Sequence, residues 1–444
     1  MKEGGVEVTA LLSAKDKGAI KPFINLNGFI KENYILILIF LSGTFLRFYR
    51  VSFHPLWWDE LFEVWMAEKS FLGIIEASRL DVHPPLYYMI VKVTMVNTSP
   101  FWVRFHSMIA GSISIIFLYL LAKELFDKKT ALYSSFIFSI SISMILYSQC
   151  ATSYSLLIMV TLLLTFLFIK IVRTKRFLYY VLFTIVGAFA LYLHYFLFFH
   201  ISGLILFYLL YHTFEIRDAY KLREKNKNHD DQRILVLWSE LKKYLTTHKW
   251  MIIKVTISLC LIALIFLPWM HSFLYSKEHG VSVIKWRNIF PNDRELYLLF
   301  HDAFMPVGWE TSVIGAQIFP ENIIKLVAMP VILIGLIWGL DRIRSQKDSR
   351  TLVLLFSSIL AIAIILPCIL MNVYEPVSGS FSSKFFVHEF PFLYIVLAAG
   401  LSKRHRQFVI LLTFSIINAI MLYVFYFDCN TNPDVWISDS GIQV

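Results

Sequence analysis

Apolar runs of roughly 17–21 residues recur along most of this 444-residue chain, and short polar segments separate them. A helix of that length rises about 30 Å, which matches the hydrocarbon core of a bilayer. Only 16% of the residues are charged, whereas soluble domains carry about a quarter. The sequence therefore predicts an all-α polytopic membrane protein.

The formal net charge of +10 comes from short clusters of Lys and Arg between the apolar runs. Such clusters are typical of cytoplasmic loops, so they indicate orientation and argue against a nucleic-acid partner. Placing them inside predicts a cytoplasmic N-terminus and about eleven transmembrane helices. The expected spans are 34–49, 103–122, 131–147, 154–172, 177–193, 196–211, 251–270, 322–340, 352–371, 385–401 and 408–426.

This topology predicts three regions in a plasma-membrane protein. They are a cytoplasmic segment at 1–33, a transmembrane domain at 34–427 and an outer tail at 428–444. The loops within the domain are two long outer ones at 51–102 and 271–321, and a charged cytoplasmic one at 212–250. Because long loops in a compact protein are usually functional, we expect the active surface on the outer face.

The first outer loop places two acids behind a pair of tryptophans, in the stretch HPLWWDELFEVW. Tryptophans are enriched at membrane boundaries, so Asp59 and Glu60 are expected there. Residues 61–80 show apolar and charged positions at helical spacing, which predicts an amphipathic helix in the interface. The Pro-Pro pair that follows suits the start of a second short helix, with Asp81 and His83 at its N-terminal end.

These motifs, in this order, resemble the polyprenyl-phosphate-sugar glycosyltransferases of the GT-C fold. The resemblance is to enzymes similar to protein O-mannosyltransferases and to the lipid A aminoarabinose transferase. It rests on LRFYRVSFHPLWWDE, DVHPPLYY, FWVRFHSMIAG, YSQCATSYSLL, YLHYF and the late KFFVHEFPFLYIVLAAGL. It implies a GT-C-type domain that moves a sugar from a polyprenyl-phosphate donor to an acceptor hydroxyl on a protein, lipid or glycan.

The resemblance also implies residue roles. The lipid phosphate is a good leaving group, so the site needs a base for the acceptor's proton and positive charge for the phosphate. Asp59 matches the family's base, while Glu60 is expected to orient the acceptor or coordinate a cation. Arg104 and Lys384 are expected to bind the donor phosphate, since both lie at outer ends of spans, against the positive-inside bias. The family has Arg at the position of Lys384. Simple snorkelling to the interface is the alternative for both cations.

Metal dependence varies within the family, so a divalent cation such as Mg²⁺, Mn²⁺ or Zn²⁺ stays an open possibility. Candidates for metal or substrate binding are Asp81, His83, His194 and Gln149. For His194, an ordinary hydrogen bond at a helix end is the simpler interpretation. The four cysteines show no CxxC spacing, which indicates neither a disulfide framework nor a cysteine-based zinc site.

One departure from the family pattern bears on activity. Close relatives often read YSQEAR where this chain has Cys150 and Thr152 in place of the acid and the arginine. The change predicts altered specificity, weak activity, or use of another acid such as Asp81 or Glu310.

Two other classes stay open on the sequence. A lipid or glycan transporter would also have many spans, but it predicts internal repeats and charged or broken helices at mid-membrane. A non-catalytic protein with the GT-C fold would explain the altered YSQ turn.

Overall fold

A computed structural model describes residues 26–81, 83–224, 233–278, 321–346, 348–366, 383–403 and 407–427. The chain divides into two compact units, 1–38 and 39–444. The regular elements of the described residues are all helices, which confirms the predicted all-α class.

The helices of the first 224 residues are α1 Leu26–Phe48, α2 Trp58–Glu68, α3 Phe71–Ser78, α4 Leu86–Thr94, α5 Pro100–Leu125, α6 Lys128–Ile140, α7 Ile142–Ser148, α8 Tyr154–Thr174, α9 Phe177–Leu193 and α10 Phe196–Glu224. Those that follow are α11 Arg233–Glu278, α12 Glu321–Arg344, α13 Ser349–Ile359, a π-helical turn Leu360–Ile365, a 3-10 helix Ser383–Glu389, α14 Phe390–Leu401 and α15 Gln407–Phe427.

Four helices in the described part of the chain are long and apolar enough to cross a membrane, at Pro100–Leu125, Tyr154–Thr174, Phe196–Lys221 and Trp238–Ser272. The bent pair α6 and α7 adds a fifth candidate. A multi-pass protein follows from these helices, and the count of eleven stays a prediction.

The predicted span 131–147 bends by 61° where α6 meets α7. Backbone groups freed by such a break need partners, because a bilayer supplies none. Arg47 donates to the carbonyl oxygens of Phe138 (3.3 Å) and Ser139 (3.1 Å), and the amide of Ile142 donates to Asn418 Oδ1 (2.8 Å). Side chains from α1 and α15 therefore stabilise the bend.

The segment 51–102, predicted to be the first outer loop, contains three short helices. The single helix predicted over 61–80 is wrong in extent, because α2 ends at Glu68 and α3 begins at Phe71. Ser70 caps α3 by accepting a hydrogen bond from the amide of Gly73 (3.0 Å), which favours a new helix start there. The predicted second helix is α4, which begins directly after Pro85.

The segment 212–250, expected to be a charged cytoplasmic loop, is largely helical. The helix α10 continues to Glu224 and α11 starts at Arg233. A hydrogen bond between His212 Nδ1 and the Tyr244 hydroxyl joins the two extensions. Long charged side chains have good helix propensity, so a polar composition did not exclude helices here.

Small residues let α12 and α14 approach closely. A Cβ added to Gly400 would lie 2.4 Å from the carbonyl oxygen of Gly335, and one added to Gly339 would lie 2.1 Å from that of Val396. The spacing Gly335-x-x-x-Gly339 is the small-residue pattern of packed membrane helices.

Candidate active site

The helix α2 presents the two acids of the tryptophan motif in its first turn. Glu60 Oε2 accepts a hydrogen bond from the Trp57 amide (3.3 Å), which caps the start of the helix. Carboxylates in this position are stabilised by the helix dipole. Glu60 is fully buried, whereas Asp59 is half-buried. The two neighbouring acids therefore have different environments.

Glu60 binds Arg104 of α5 through both carboxylate oxygens. Arg104 Nε lies 2.7 Å from Oε1 and Nη2 lies 2.6 Å from Oε2, and Arg104 as a whole is only 4% exposed. Glu60 Oε1 also accepts from the amide of Ala151 (2.7 Å), in the altered YSQ turn. Such bidentate, charge-assisted pairs are among the stronger hydrogen bonds in proteins.

Arg104 has further acceptors in the polar segment before α2. Nη1 donates to the carbonyl oxygens of Val51 (2.6 Å) and His54 (3.0 Å), and Nη2 donates to that of Pro55 (2.9 Å). All three guanidinium nitrogens are thus engaged by the protein. Binding of a donor phosphate by Arg104 stays a prediction, and it would require these contacts to rearrange.

Gln149 fixes the end of the first span. Its side-chain amide lies within 3.1 Å of the carbonyl oxygens of Leu46, Arg47 and Tyr49, and 3.3 Å from the Tyr426 hydroxyl. These oxygens are the ones a helix C-terminus leaves without internal partners. In this arrangement Gln149 positions α1 beside the YSQ turn.

Glu63, which lies one helical turn after Asp59, was not among the predicted site residues. Its side chain is 9% exposed, and Oε2 is buried without a hydrogen-bond partner among the described residues. Burial raises the pKa of Glu63 well above its ordinary value, and the negative charges of Asp81, Asp59 and Glu60 raise it further. The i, i+4 spacing places Glu63 on the same face of α2 as Asp59, and this was the sequence signal that could have identified it.

Asp81 and the two histidines proposed as ligands lie together. The amide of His83 donates to Asp81 Oδ2 (3.2 Å), its ring nitrogen Nδ1 lies 3.5 Å from the same oxygen, and Tyr88 donates its hydroxyl to that oxygen as well. The rings of His83 and His194 have centroids 5.1 Å apart. The DVHPP and YLHYF motifs are therefore adjacent in the fold.

His194 makes the local hydrogen bond that was its simpler interpretation, because Nδ1 accepts from the Phe196 amide (3.1 Å). Burial lowers the pKa of His194 well below its ordinary value, and the nearby rings of His83 and His388 lower it further. In the part of the chain that is described, no group of three His, Cys, Asp or Glu side chains converges on a point that could hold a metal ion.

Two of the predicted residues have side chains outside the described part of the chain. Lys384 belongs to the 3-10 helix Ser383–Glu389, but its side chain lies outside the described residues, as does Glu310. Cys150 is half-buried and carries no disulfide.

Residues 82–222, about a third of the chain, match the family model of dolichyl-phosphate-mannose-protein mannosyltransferases. The structure is similar to the crystal structure of ArnT from Cupriavidus metallidurans in the apo state, with a TM-score of 0.50 and 12% identity. The chain has the GT-C fold. The match covers 85% of this chain and 62% of ArnT, so the chain spans about three fifths of the length of that protein.

Two structures of the Archaeoglobus fulgidus oligosaccharyltransferase are also similar. One, with Zn and sulfate, has a TM-score of 0.46 at 12% identity and covers 91% of this chain and 53% of its own. The other, AglB with an inhibitory peptide and a dolichol-phosphate, has a TM-score of 0.45 at 12% identity. That match covers 93% of this chain and 56% of AglB. No curated protein sequence matches this chain. The GT-C fold agrees with the resemblance of the sequence motifs.

Proposed function

We propose that this protein is an integral-membrane glycosyltransferase. It moves a sugar from a polyprenyl-phosphate donor to an acceptor hydroxyl at the outer membrane face, and Asp59 acts as the general base. The observation that carries the proposal is the contrast between the two acids of α2. Arg104 and the Ala151 amide hold Glu60 in a buried position, whereas Asp59, one residue earlier, reaches the surface of the first outer loop.

In the proposed reaction the acceptor oxygen forms a bond to the anomeric carbon as the bond from that carbon to the lipid phosphate breaks. Asp59 takes the proton of the attacking hydroxyl, and the phosphate leaves with its electron pair. The reaction needs no general acid, because the phosphate is a good leaving group. Positive charge near the phosphate, for which Lys384 is our candidate, would stabilise the charge that develops there.

Neighbouring side chains define the position and the charge environment of Asp59. The fixed pair of Glu60 and Arg104 keeps the first turn of α2 in place, and a geometry set in advance lowers the cost of reaching the transition state. Burial and the neighbouring acids hold the pKa of Glu63 well above its ordinary value, which lowers its tendency to carry a negative charge beside Asp59. In the YSQ turn this chain has Cys150 and Thr152 where close relatives often have an acid and an arginine. We propose that Glu63 takes the place of that missing acid.

The test is transfer of labelled sugar from a panel of polyprenyl-phosphate sugars in membranes that contain the protein. We expect wild-type protein to transfer label and Asp59→Asn to lose roughly 10²–10⁴-fold in rate, the usual scale for general acid–base catalysis. Glu68→Gln, an exposed change on the same helix, is the matched control. Near-normal transfer by folded Asp59→Asn would refute the assigned base. Absence of transfer from every donor would favour a non-catalytic or transport role.

A further inference from the structure

A cavity of about 290 Å³ lies at the end of the helical domain remote from Asp59. The helix α8 connects the two places: it begins at Tyr154, after the turn that contacts Glu60, and ends at Thr174 beside the cavity, about 30 Å away. Ile169, Met251 and Thr351 of three different helices contribute to the wall. The charge pattern of the sequence assigns this end to the cytoplasm.

His212 gives the cavity a buried polar group. The residue is 8% exposed, and Nδ1 pairs with the Tyr244 hydroxyl, while Nε2 is buried without a hydrogen-bond partner in the described part of the chain. When Tyr244 donates to Nδ1, the neutral ring carries its hydrogen on Nε2, and a protonated ring carries one there as well. Because His212 is one of the residues that line the cavity, an acceptor bound there that reached Nε2 would satisfy this donor, and buried donors are rarely left unpaired.

Charged side chains surround the mouth. Arg173 pairs with Asp348 (3.2 Å) and with Glu124 (3.4 Å), so its charge is already compensated. Lys175 and Glu215 are exposed and line the same cavity, and neither forms an ion pair with another described residue. Among the residues that line the cavity, Lys175 and Glu215 thus provide a cation and an anion outside any ion pair of the described residues, and His212 provides a buried ring nitrogen.

We propose that this cavity binds a small phosphate ester that also carries an ammonium group. Lys175 and the Nε2 hydrogen of His212 would hold the phosphate, and Glu215 would hold the ammonium. Basic pockets between membrane helices on the cytoplasmic side are known to accept lipid head groups, and phosphate contacts of this kind are charge-assisted. Two sources share the chemistry: the head group of phosphatidylethanolamine and soluble phosphoethanolamine.

The first experiment measures binding of soluble phosphoethanolamine to the purified full chain in lipid-free detergent. Binding is followed by the rise in the melting temperature of the protein. We expect Lys175→Asn to weaken binding at least tenfold. Asn suits the left-handed backbone of this residue (φ 55°), so the variant should fold. Glu215→Gln should weaken the binding of phosphoethanolamine but leave the binding of inorganic phosphate unchanged. Lys242→Asn, an exposed lysine of α11 outside the cavity lining, is the control.

The second experiment distinguishes the sources by native mass spectrometry of protein taken from nanodiscs of phosphatidylethanolamine and phosphatidylglycerol. Retention of phosphatidylethanolamine by wild type and its loss in Lys175→Asn would support a lipid ligand, even if the soluble ester does not bind. Binding of the soluble ester alone would support a free phosphate ester. Binding of neither, or equal binding by wild type and Lys175→Asn, would overturn the proposal.

Discussion

Glu60 of α2 and Arg104 of α5 form a buried bidentate ion pair that joins the segment 51–102 to the start of the long apolar helix α5. Both side chains are 5% exposed or less. The pair also connects the polar segment at Val51 to the YSQ turn at Ala151. The ion pair next to Asp59 is therefore fixed by contacts with α5, with the segment at Val51 and with the YSQ turn.

The first prediction concerns the stability that this pair provides. Glu60→Gln keeps the shape and an acceptor for the Ala151 amide, but it leaves the charge of Arg104 buried and without its carboxylate. Removing one partner of a buried pair costs roughly 3–5 kcal/mol. We expect a clear fall in the melting temperature of the purified protein, and little change for exposed Glu68→Gln. A Glu60→Gln protein that melts with the wild type would contradict this role.

The second prediction concerns the donor phosphate. If Lys384 binds it, Lys384→Ala removes a charge-assisted contact worth roughly 1.5–3 kcal/mol, so donor-lipid affinity should fall about tenfold or more. Arg104→Lys should instead lower the melting temperature, because Lys lacks the planar fork that contacts Glu60. Donor binding and thermal unfolding are measured for both variants. Wild-type donor affinity in Lys384→Ala would leave that lysine as an interfacial anchor.

The third prediction concerns Glu63 and pH. Because its pKa is raised in the folded state, the folded protein binds more protons than the unfolded chain above pH 4.5, the ordinary pKa of the group. Its contribution to stability is complete below that pH and is lost as the pH rises towards the raised pKa. Glu63→Gln stays neutral, so we expect it to melt above the wild type at pH 8 and close to it at pH 4.5.

Melting temperatures at the two pH values provide the measurement, with Glu68→Gln as the exposed control. An unchanged pH dependence in Glu63→Gln would show that this carboxyl is ionised in the folded protein.

The fourth prediction concerns orientation. In a background without the four native cysteines, Arg79→Cys should react with an impermeant thiol reagent in intact cells, because Arg79 directly follows α3 in the segment predicted to be the first outer loop. Thr174→Cys, at the end of α8 next to the basic cluster, should react only after the cells are opened. Labelling of Thr174→Cys from outside would reverse the topology and move Asp59 to the cytoplasmic face.

The fifth prediction concerns the contact of α12 with α14. Gly400→Ala places a Cβ where the backbone of Gly335 lies, and backbone cannot move aside as a side chain can. We expect loss of a stable fold or a large fall in melting temperature. Leu340→Ala, next to Gly339 but 54% exposed, changes a larger volume and should have a small effect. Equal melting temperatures for the two variants would argue against close helix packing here.

Much of the fold was predictable, because the length and composition of an apolar run determine whether a helix can cross a bilayer. The positions of α5, α8 and α9 follow from their runs within a few residues. The bend at Ser141 was not predictable, since it lies inside a continuous apolar run. It depends on Arg47 and Asn418, which are distant along the chain and meet this segment only in the folded protein.

The sequence by itself predicted the members of the candidate site, because Asp59, Glu60, Arg104 and Gln149 lie in motifs that resemble those of the GT-C glycosyltransferases. Only the tertiary structure decided how they are used: Glu60 and Arg104 bind each other, and Gln149 caps α1. It also showed that Glu63, which resembles an ordinary residue of a polar helix face, is buried. The physical reason is that burial and pairing arise between segments 44 to 103 residues apart, and no local pattern encodes the partner.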